Sequence, residues 1–352
     1  MSTTTTSTRK MPYVRLGNSG LKISKIILST LQYGSSEWQG WVLEQEEAIK
    51  HIKAAYDAGI QTFDTANIYS NGRSEIILGN AIKELELPRD EIVVMTKLWG
   101  VVGREPSTVF YGSGKNPDDH GYVNQHGLSR KHIFESVKRS LERLQLDYVD
   151  VLQCHRFDPD TPIEETMQAL HDVVQAGYVR YIGMISCYAW QFHAMQNYAI
   201  KNKLTPFICM QSYYCPIYRE DEREMFPTLK MFGVGSISIP WSPLARNLLT
   251  RPLDEQTKQG NEDIGLTMTI GRPGVTEIVN RIEEVAKKRG ITMEQVTLAW
   301  VLSKEGINAP IVAPLSLKSL EDMIEAIEVK LTEEEVKYLE EPYVPQAIVG
   351  HS

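Results

Sequence analysis

The sequence is short of positive charge, and it has no long apolar run. Its 352 residues contain 37 Lys and Arg against 45 Asp and Glu, which gives a net charge of −8 at pH 7. Nucleic acids and anionic membrane surfaces are bound by basic faces, so this balance argues against both classes of partner. No apolar run reaches the roughly 18 residues that a membrane-spanning helix needs. We therefore expect neither a nucleic-acid nor a membrane partner.

Cysteine is also scarce and follows no motif. The four residues, Cys154, Cys187, Cys209 and Cys215, show no C-x-x-C spacing, which argues against a zinc site and against a disulfide framework. Reduced thiols are typical of a cytoplasmic protein. The segment 1–10 lacks the apolar stretch of a secretory signal and predicts a disordered N-terminal arm. A cytoplasmic location is the expectation that follows.

The chain is rich in short apolar runs that alternate with longer stretches of helical periodicity. A Gly/Asn-rich turn at 17–20 between two short runs predicts an N-terminal β-hairpin. Eight strand–helix units follow, which favours a (β/α)8 TIM barrel over an open doubly wound sheet. Residues 11–352 are predicted to form one barrel domain, since no linker separates a second one. The predicted strands of the barrel are 25–30, 61–63, 92–96, 148–154, 181–185, 207–210, 236–240 and 310–313. The predicted helices are 44–57, 74–85, 130–144, 163–176, 189–201, 220–232, 275–304 and 318–328.

Two long connections interrupt this alternation. Residues 100–127 are rich in Gly, Pro, Asn and Asp, and residues 244–274 are rich in polar residues and glycine. Connections of this length in a compact domain are usually functional lids or disordered segments. Whether 100–127 is an ordered lid is left open by the sequence.

Polar or hydrogen-bonding side chains follow six consecutive predicted strands. In a (β/α)8 barrel the carboxyl ends of the strands surround the active-site mouth. An unpaired buried charge is too costly, so the Asp and the Lys of this set are expected to face each other there. The six residues are Asp64, Lys97, His155, Ser186, Gln211 and Trp241.

Tyr69 follows Asp64 by five residues, close enough to turn back over the same mouth. A free phenol has a pKa of about 10, too high for a good acid near neutrality. A nearby ammonium such as that of Lys97 stabilises the phenolate, and a carboxylate holds the ammonium in place. The set therefore predicts a tyrosine general acid that protonates a developing alkoxide. Taken singly, each residue also has a structural interpretation, as an ion pair, a loop aromatic or, for His155, a core histidine.

At these residues the sequence resembles the aldo-keto reductases. The matching segments include FDTANIY, IVVMTK ending at Lys97, and LQLDYVDVLQCH ending at His155. Further matches are GYVRYIGMIS, MQSYY, IPWSPLARNLLT and PIVAPLSLKSLEDM, so the resemblance covers roughly residues 13–328. Within the family the chain is most similar to the fungal aryl-alcohol dehydrogenases and versiconal hemiacetal acetate reductases.

The resemblance implies an NADPH-dependent reductase, with NADH as the alternative cofactor, that reduces aldehydes or ketones by direct hydride transfer. Tyr69 would be the proton donor, with Lys97 and Asp64 tuning it. His155 would orient the carbonyl group of a small-molecule substrate. No metal is expected, because the histidines and cysteines form no ligand set.

The resemblance also implies a set of cofactor contacts. Ser186 and Gln211 would hold the nicotinamide carboxamide, and Trp241 would stack on the ring. The remaining expected contacts are Ser242, Leu244, Arg246, Lys318 and Asp322.

The chain departs from the family pattern in three places. Cys187 stands where an Asn usually follows the serine that holds the carboxamide. Ser319, Asp322 and Met323 correspond to an Arg-x-x-Glu-Asn segment that grips the adenosine 2′-phosphate, so the preference for NADPH over NADH is open. Asn247 replaces a glycine and is tolerable there, because Asn accepts left-handed backbone.

Aromatic residues are dense in the loops expected around the mouth, which predicts aromatic or bulky apolar substrates. The alternative is that these rings pack the loops themselves. The residues concerned are Trp38, Trp41, Trp99, Phe110, Tyr111 and Tyr122.

Two other functions fit parts of the pattern. A cofactor-binding regulatory subunit, of the kind that binds potassium channels, would keep the pocket but turn over slowly. A Schiff-base aldolase would use Lys97 as its nucleophile. The oligomeric state, the physiological substrate and the direction of flux are not determined by the sequence.

Overall fold

Eight parallel strands close into a barrel in the computed structural model. The structure describes residues 11–110, 112–238, 244–245, 248–253, 255 and 271–351. Around the barrel the strands pair in chain order, and the last strand pairs with the first to close it. Since every neighbouring pair is parallel and helices alternate with the strands, the predicted (β/α)8 barrel is confirmed.

Ten strands are described. They are β1 Tyr13–Arg15, β2 Lys22–Ser24, β3 Ile27–Ser29, β4 Thr62–Asp64, β5 Val93–Leu98, β6 Val149–Cys154, β7 Val179–Ile185, β8 Phe207–Ser212, β9 Gly235–Ser238 and β10 Ala309–Val312.

The described α-helices number ten. They are α1 Gln45–Asp57, α2 Arg73–Glu84, α3 Arg130–Leu144, α4 Ile163–Gln175, α5 Ala189–Lys201, α6 Met225–Phe232, α7 Val275–Arg289, α8 Met293–Leu302, α9 Leu317–Glu325 and α10 Glu333–Glu340.

The predicted N-terminal hairpin is present and closes the bottom of the barrel. Strands β1 and β2 pair antiparallel, with Tyr13 opposite Ser24. Leu16, next to the turn, is fully buried in a cluster with barrel-interior residues such as Met95 and Ile237. Gly17 follows in the left-handed region at φ +56°, where a Cβ would lie 2.5 Å from the backbone nitrogen of Gly235. Only glycine allows the hairpin to approach β9 this closely.

The C-terminal region differs from prediction in two ways. The helix expected over 275–304 is two helices, α7 and α8. Gly290 ends α7 in the left-handed region at φ +66°, and Thr292 starts α8 with a capping box that involves Gln295. Helix α10, which Thr332 caps in the same way, was not predicted.

The hydrophobic core lies between the barrel and its surrounding helices. The largest buried cluster joins strand residues such as Phe63 and Leu152 with helix residues such as Ile52 and Leu170. None of the described helices is long and apolar enough to cross a membrane. Packing of this kind holds the strand ends at fixed relative positions, so the side chains that follow them converge at one mouth.

Candidate active site

Asp64 and Lys97 meet at the barrel mouth. Asp64 is the last residue of β4, and Lys97 lies inside β5, one residue before its end. Both side chains are fully buried. Lys97 Nζ donates to Asp64 Oδ2 and, at 2.7 Å, to the backbone oxygen of Thr65. Burial lowers the pKa of Lys97, and the Asp64 carboxylate opposes that shift.

The second carboxylate oxygen of Asp64 is held by two amides. Gln211 Nε2 lies 2.8 Å and Gln153 Nε2 lies 3.2 Å from Asp64 Oδ1. Both glutamines are fully buried. Gln153 was not among the predicted site residues; an amide in the last, fully buried half of β6 is the signal that could have identified it. Together these contacts fix the carboxylate from strands β5, β6 and β8.

Tyr69 turns back over this pair. It begins a single 3-10 turn, Tyr69–Gly72, in which Ser70 and Asn71 adopt left-handed backbone at φ +47° and +50°. Its ring is 5% exposed, and Lys97 Nζ lies 4.8 Å from the ring centroid. The predicted convergence of Asp64, Tyr69 and Lys97 is therefore present in the structure.

His155 completes the group from the end of β6. Its ring centroid lies 6.1 Å from that of Tyr69, with the ring planes at 81°. Burial lowers the pKa of His155 well below its usual range, and the cations of Arg156 and Lys97 add to this shift. The imidazole is consequently neutral near pH 7, so it keeps one N–H that can donate a hydrogen bond.

Several buried polar atoms at the mouth have no hydrogen-bond partner among the described residues, Gln153 Oε1 and His155 Nδ1 among them. Two others lie on residues expected to hold the cofactor. They are Ser186 Oγ and Gln211 Oε1. Ser186 follows β7 in left-handed backbone at φ +42°, and its amide nitrogen donates to the backbone oxygen of Gln211 at 3.1 Å. Buried polar groups normally have partners, so these atoms fit a ligand that offers both a donor and an acceptor, as a carboxamide does. Cys187, next to Ser186, is fully buried.

Part of the expected cofactor set lies outside the described residues, namely Trp241, Ser242 and Arg246. Leu244 is described and buried. Lys318 Nζ pairs with Asp322 Oδ1 at 2.9 Å, and the Lys318 side chain is largely exposed.

A cavity of about 820 Å³, here named the Glu294 groove, opens beside the mouth. Glu294 was not predicted as a site residue. It lies on α8, and no sequence motif in that helix indicates ligand binding. The groove also contains Ser319, which stands where the family pattern has the arginine of the 2′-phosphate segment. The groove is lined by side chains that include Trp41, Arg251, Lys287, Glu294, Leu315 and Ser319.

A second cavity, of about 360 Å³, lies between the Tyr69 turn and the long connection that follows β5. We name it the Trp99 pocket. Of the six aromatic residues predicted around the mouth, Trp38, Trp99 and Phe110 line this pocket. Trp41 borders the Glu294 groove instead, and Tyr111 lies outside the described residues.

The sixth aromatic residue, Tyr122, is buried. Its ring packs against Phe110 with the ring centroids 5.0 Å apart, and its hydroxyl accepts a hydrogen bond at 3.0 Å from the backbone nitrogen of Arg104. Tyr122 therefore packs within the loop, as the alternative interpretation of these rings expects.

Asn71 ties the long connection to the Tyr69 turn. Its Nδ2 donates to the backbone oxygens of Glu105, Pro106 and Thr108 at 3.1, 3.1 and 2.8 Å, and its Oδ1 accepts from Gly103 N at 2.8 Å. Asn71 was not predicted as a site residue. The described part of this loop is thus packed on the mouth.

Metal chemistry has no support in the described part of the chain, where no group of His, Cys, Asp and Glu side chains could hold an ion. The site instead combines a neutral imidazole, a phenol and a buried ammonium–carboxylate pair at the barrel mouth.

Known proteins are similar in sequence to nearly the whole chain. The profile of the aldo/keto reductase family matches residues 25–343. The chain is 48% identical over 345 residues to the versiconal hemiacetal acetate reductase of Aspergillus parasiticus, covering 96% of this chain and 98% of that protein. It is 47% identical over 346 residues to a Schizosaccharomyces pombe protein provisionally named an aryl-alcohol dehydrogenase, covering 96% and 97%. An aldo-keto reductase of Alternaria alternata is 45% identical over 350 residues, covering 97% and 94%.

Proposed function

The chain belongs to the aldo/keto reductase family, and from this premise we propose that Tyr69 is the general acid in the reduction of an aldehyde or ketone to an alcohol. A bound nicotinamide dinucleotide supplies the hydride. The observation that carries the proposal is the position of Lys97 Nζ, 4.8 Å from the centroid of the Tyr69 ring. A cation beside a phenol stabilises the phenolate and so eases release of the proton.

The Asp64 carboxylate keeps Lys97 in this position. Its Oδ2 accepts from Lys97 Nζ, while its Oδ1 is held by the two glutamine amides of the mouth. Because a buried ammonium without a partner would lose its proton, this carboxylate maintains the charge that acts on Tyr69. Asp64 is thus a positioning residue, and Tyr69 is the group that touches the reacting oxygen.

His155 orients the carbonyl group. Its lowered pKa keeps the imidazole neutral, so its remaining N–H donates a hydrogen bond to the carbonyl oxygen without competing with Tyr69 as an acid. The two ring centroids lie 6.1 Å apart, so the proposal places both side chains within reach of one carbonyl oxygen.

Ser186 and Gln211 are the residues that would hold the nicotinamide carboxamide. Gln211 Nε2 is committed to Asp64, which leaves Gln211 Oε1 as an acceptor for the carboxamide N–H, and Ser186 Oγ as a second hydrogen-bonding group. The family resemblance adds stacking by Trp241 and phosphate contacts by Ser242, Leu244 and Arg246. NADPH is the cofactor that the resemblance implies, with NADH as the alternative.

The substrate is an aromatic or bulky apolar aldehyde or ketone. Trp38, Trp99 and Phe110 line the Trp99 pocket, and its volume of about 360 Å³ suits a substituted aromatic ring. Two relatives carry names that refer to an aryl alcohol and to a versiconal ester. Comparable kcat/KM for an open-chain aldose and for substituted benzaldehydes would contradict this assignment.

The test is oxidation of NADPH and of NADH in parallel with a substituted benzaldehyde. We expect Tyr69→Phe to lower kcat about 10²–10⁴-fold, the usual contribution of a general acid, and to leave cofactor affinity near that of the wild type. Tyr198→Phe, on α5 and remote from the mouth, is the matched control and keeps full activity. Full activity of Tyr69→Phe would contradict the proposal. Cofactor binding without turnover of any aldehyde would favour the regulatory-subunit alternative.

A further inference from the structure

The Glu294 groove lies where a barrel commonly binds phosphate groups. Loops after the seventh and eighth barrel strands frequently form such sites, and these strands are β9 and β10 here. The groove is lined by Thr250 and Arg251, which follow β9, and by Leu315, which follows β10. Its position next to the mouth suits the adenosine end of a dinucleotide whose nicotinamide reaches Ser186 and Gln211.

A carboxylate already accepts the hydrogen bond of the Ser319 hydroxyl at this position. Glu294 is the second residue of α8, and Ser319 is the third residue of α9, so both stand at helix N-termini. Ser319 Oγ lies 3.0 and 3.1 Å from the two carboxylate oxygens of Glu294. The hydroxyl has one hydrogen to donate, and helix N-termini favour an anion. The Glu294 carboxylate therefore accepts the hydrogen bond that the Ser319 hydroxyl could otherwise donate to a phosphate group.

The charged groups described around Glu294 on α9 do not make this position attractive to a phosphate. Asp322, also on α9, adds a second negative charge near Glu294, and its partner Lys318 points largely into solvent. Burial, with a smaller contribution from Asp322, raises the pKa of Glu294 to about 7, while the Ser319 hydroxyl opposes the shift. At pH 8, above that pKa, the carboxylate form of Glu294 predominates.

Of the described residues, two cations line the groove, and both have acidic or carbonyl partners. Lys287 Nζ pairs with Glu283, and Arg251 Nε donates to the backbone oxygen of Glu255 at 3.2 Å. Neither lies in the position of Ser319, where an arginine would face a 2′-phosphate directly.

We propose that Glu294, held by Ser319, makes this groove select against a ribose 2′-phosphate and accept an unmodified ribose, so that binding shifts from NADPH toward NADH. A carboxylate accepts hydrogen bonds from ribose hydroxyls, as in dinucleotide folds where an acidic residue marks NAD and an arginine accommodates NADP. The same carboxylate repels a phosphate dianion. This specificity role deepens the proposed function and rests on it.

Calorimetric titration of NAD⁺ and NADP⁺ at pH 8 tests the inference without relying on turnover. We expect Glu294→Gln to lower the Kd of NADP⁺ about tenfold and to change the Kd of NAD⁺ less than about threefold. Glu321→Gln removes the same charge from an exposed position on α9 and is the matched control. It should leave the ratio of the Kd of NADP⁺ to the Kd of NAD⁺ unchanged. The double variant Glu294→Gln/Ser319→Arg is expected to strengthen NADP⁺ binding further.

The possible outcomes separate this inference from the proposed function. Thermal unfolding checks that Glu294→Gln folds. If it does not fold, Glu294→Ala is used instead, since it removes the same charge. A Kd ratio that neither variant changes overturns the inference and leaves the reductase proposal in place. Failure of the wild-type protein to bind either dinucleotide overturns both.

Discussion

Gln211 Nε2 lies 2.8 Å from Asp64 Oδ1, although 147 residues separate the two in the chain. The contact fixes the orientation of the amide, because the nitrogen must face Asp64 and the oxygen then faces the mouth. Any change that reverses this orientation should affect both the buried charge pair and cofactor binding.

Replacement of Gln211 by Glu puts two carboxylates against each other. At pH 8 we expect the free energy of unfolding to fall by about 3 kcal/mol, since the new group is a buried charge without a partner. The loss should shrink as pH falls, because burial beside Asp64 raises the pKa of the new carboxyl and it takes up a proton. Denaturant unfolding at pH 5.5 and pH 8 measures this. The control is Gln196→Glu, which places a carboxylate at a buried site on α5. Only Gln211→Glu should weaken cofactor binding.

Replacement of Lys97 by Met leaves Asp64 buried without its cation. We expect a loss of about 3–5 kcal/mol in the free energy of unfolding, the usual cost of breaking a buried ion pair, together with loss of most turnover. The double variant Asp64→Asn/Lys97→Met should recover most of the stability, because neither charge remains, but none of the turnover. Recovery of activity in the double variant would show that Lys97 acts only structurally.

Replacement of Asn71 by Asp tests the anchoring of the loop after β5. Asp tolerates the left-handed backbone at this position and keeps the acceptor for Gly103 N, but it loses the three donations to Glu105, Pro106 and Thr108. We expect KM for the aldehyde to rise about tenfold with kcat less affected, since the wall of the Trp99 pocket loosens. Asn116→Asp, exposed in the same loop, should leave KM unchanged. An equal KM for the two variants would contradict this role for Asn71.

Asp221 predicts a pH dependence of stability. Burial raises its pKa from 3.8 to about 6. A carboxyl whose folded pKa is raised destabilises the folded state as pH rises through that window, and the cost is fully present above about pH 6. The variant Asp221→Asn lacks this cost. Its free energy of unfolding, relative to that of the wild type, should therefore rise by about 2 kcal/mol between pH 4.5 and pH 8. Exposed Glu224→Gln is the control, and a difference that does not vary with pH would contradict the assignment.

Prediction from sequence succeeded where local patterns carry the information. Each predicted barrel strand overlaps an observed one, because buried parallel strands appear as short apolar runs followed by helical periodicity. The resemblance to the family and to its fungal branch is confirmed, since its motifs are continuous segments. Prediction failed at Gly290, where one glycine and the Thr292 cap divide a long periodic stretch into two helices.

The sequence by itself determined the barrel, its strand order and the meeting of Asp64, Tyr69, Lys97 and His155, because parallel strands in chain order bring their carboxyl ends to one mouth. Only the tertiary structure decided the contacts between distant segments. Gln153 and Gln211 share one oxygen of Asp64, Asn71 holds the loop after β5, and Glu294 binds Ser319 across two helix starts. These contacts depend on where whole elements pack and which rotamers that packing leaves open, and no local periodicity encodes either.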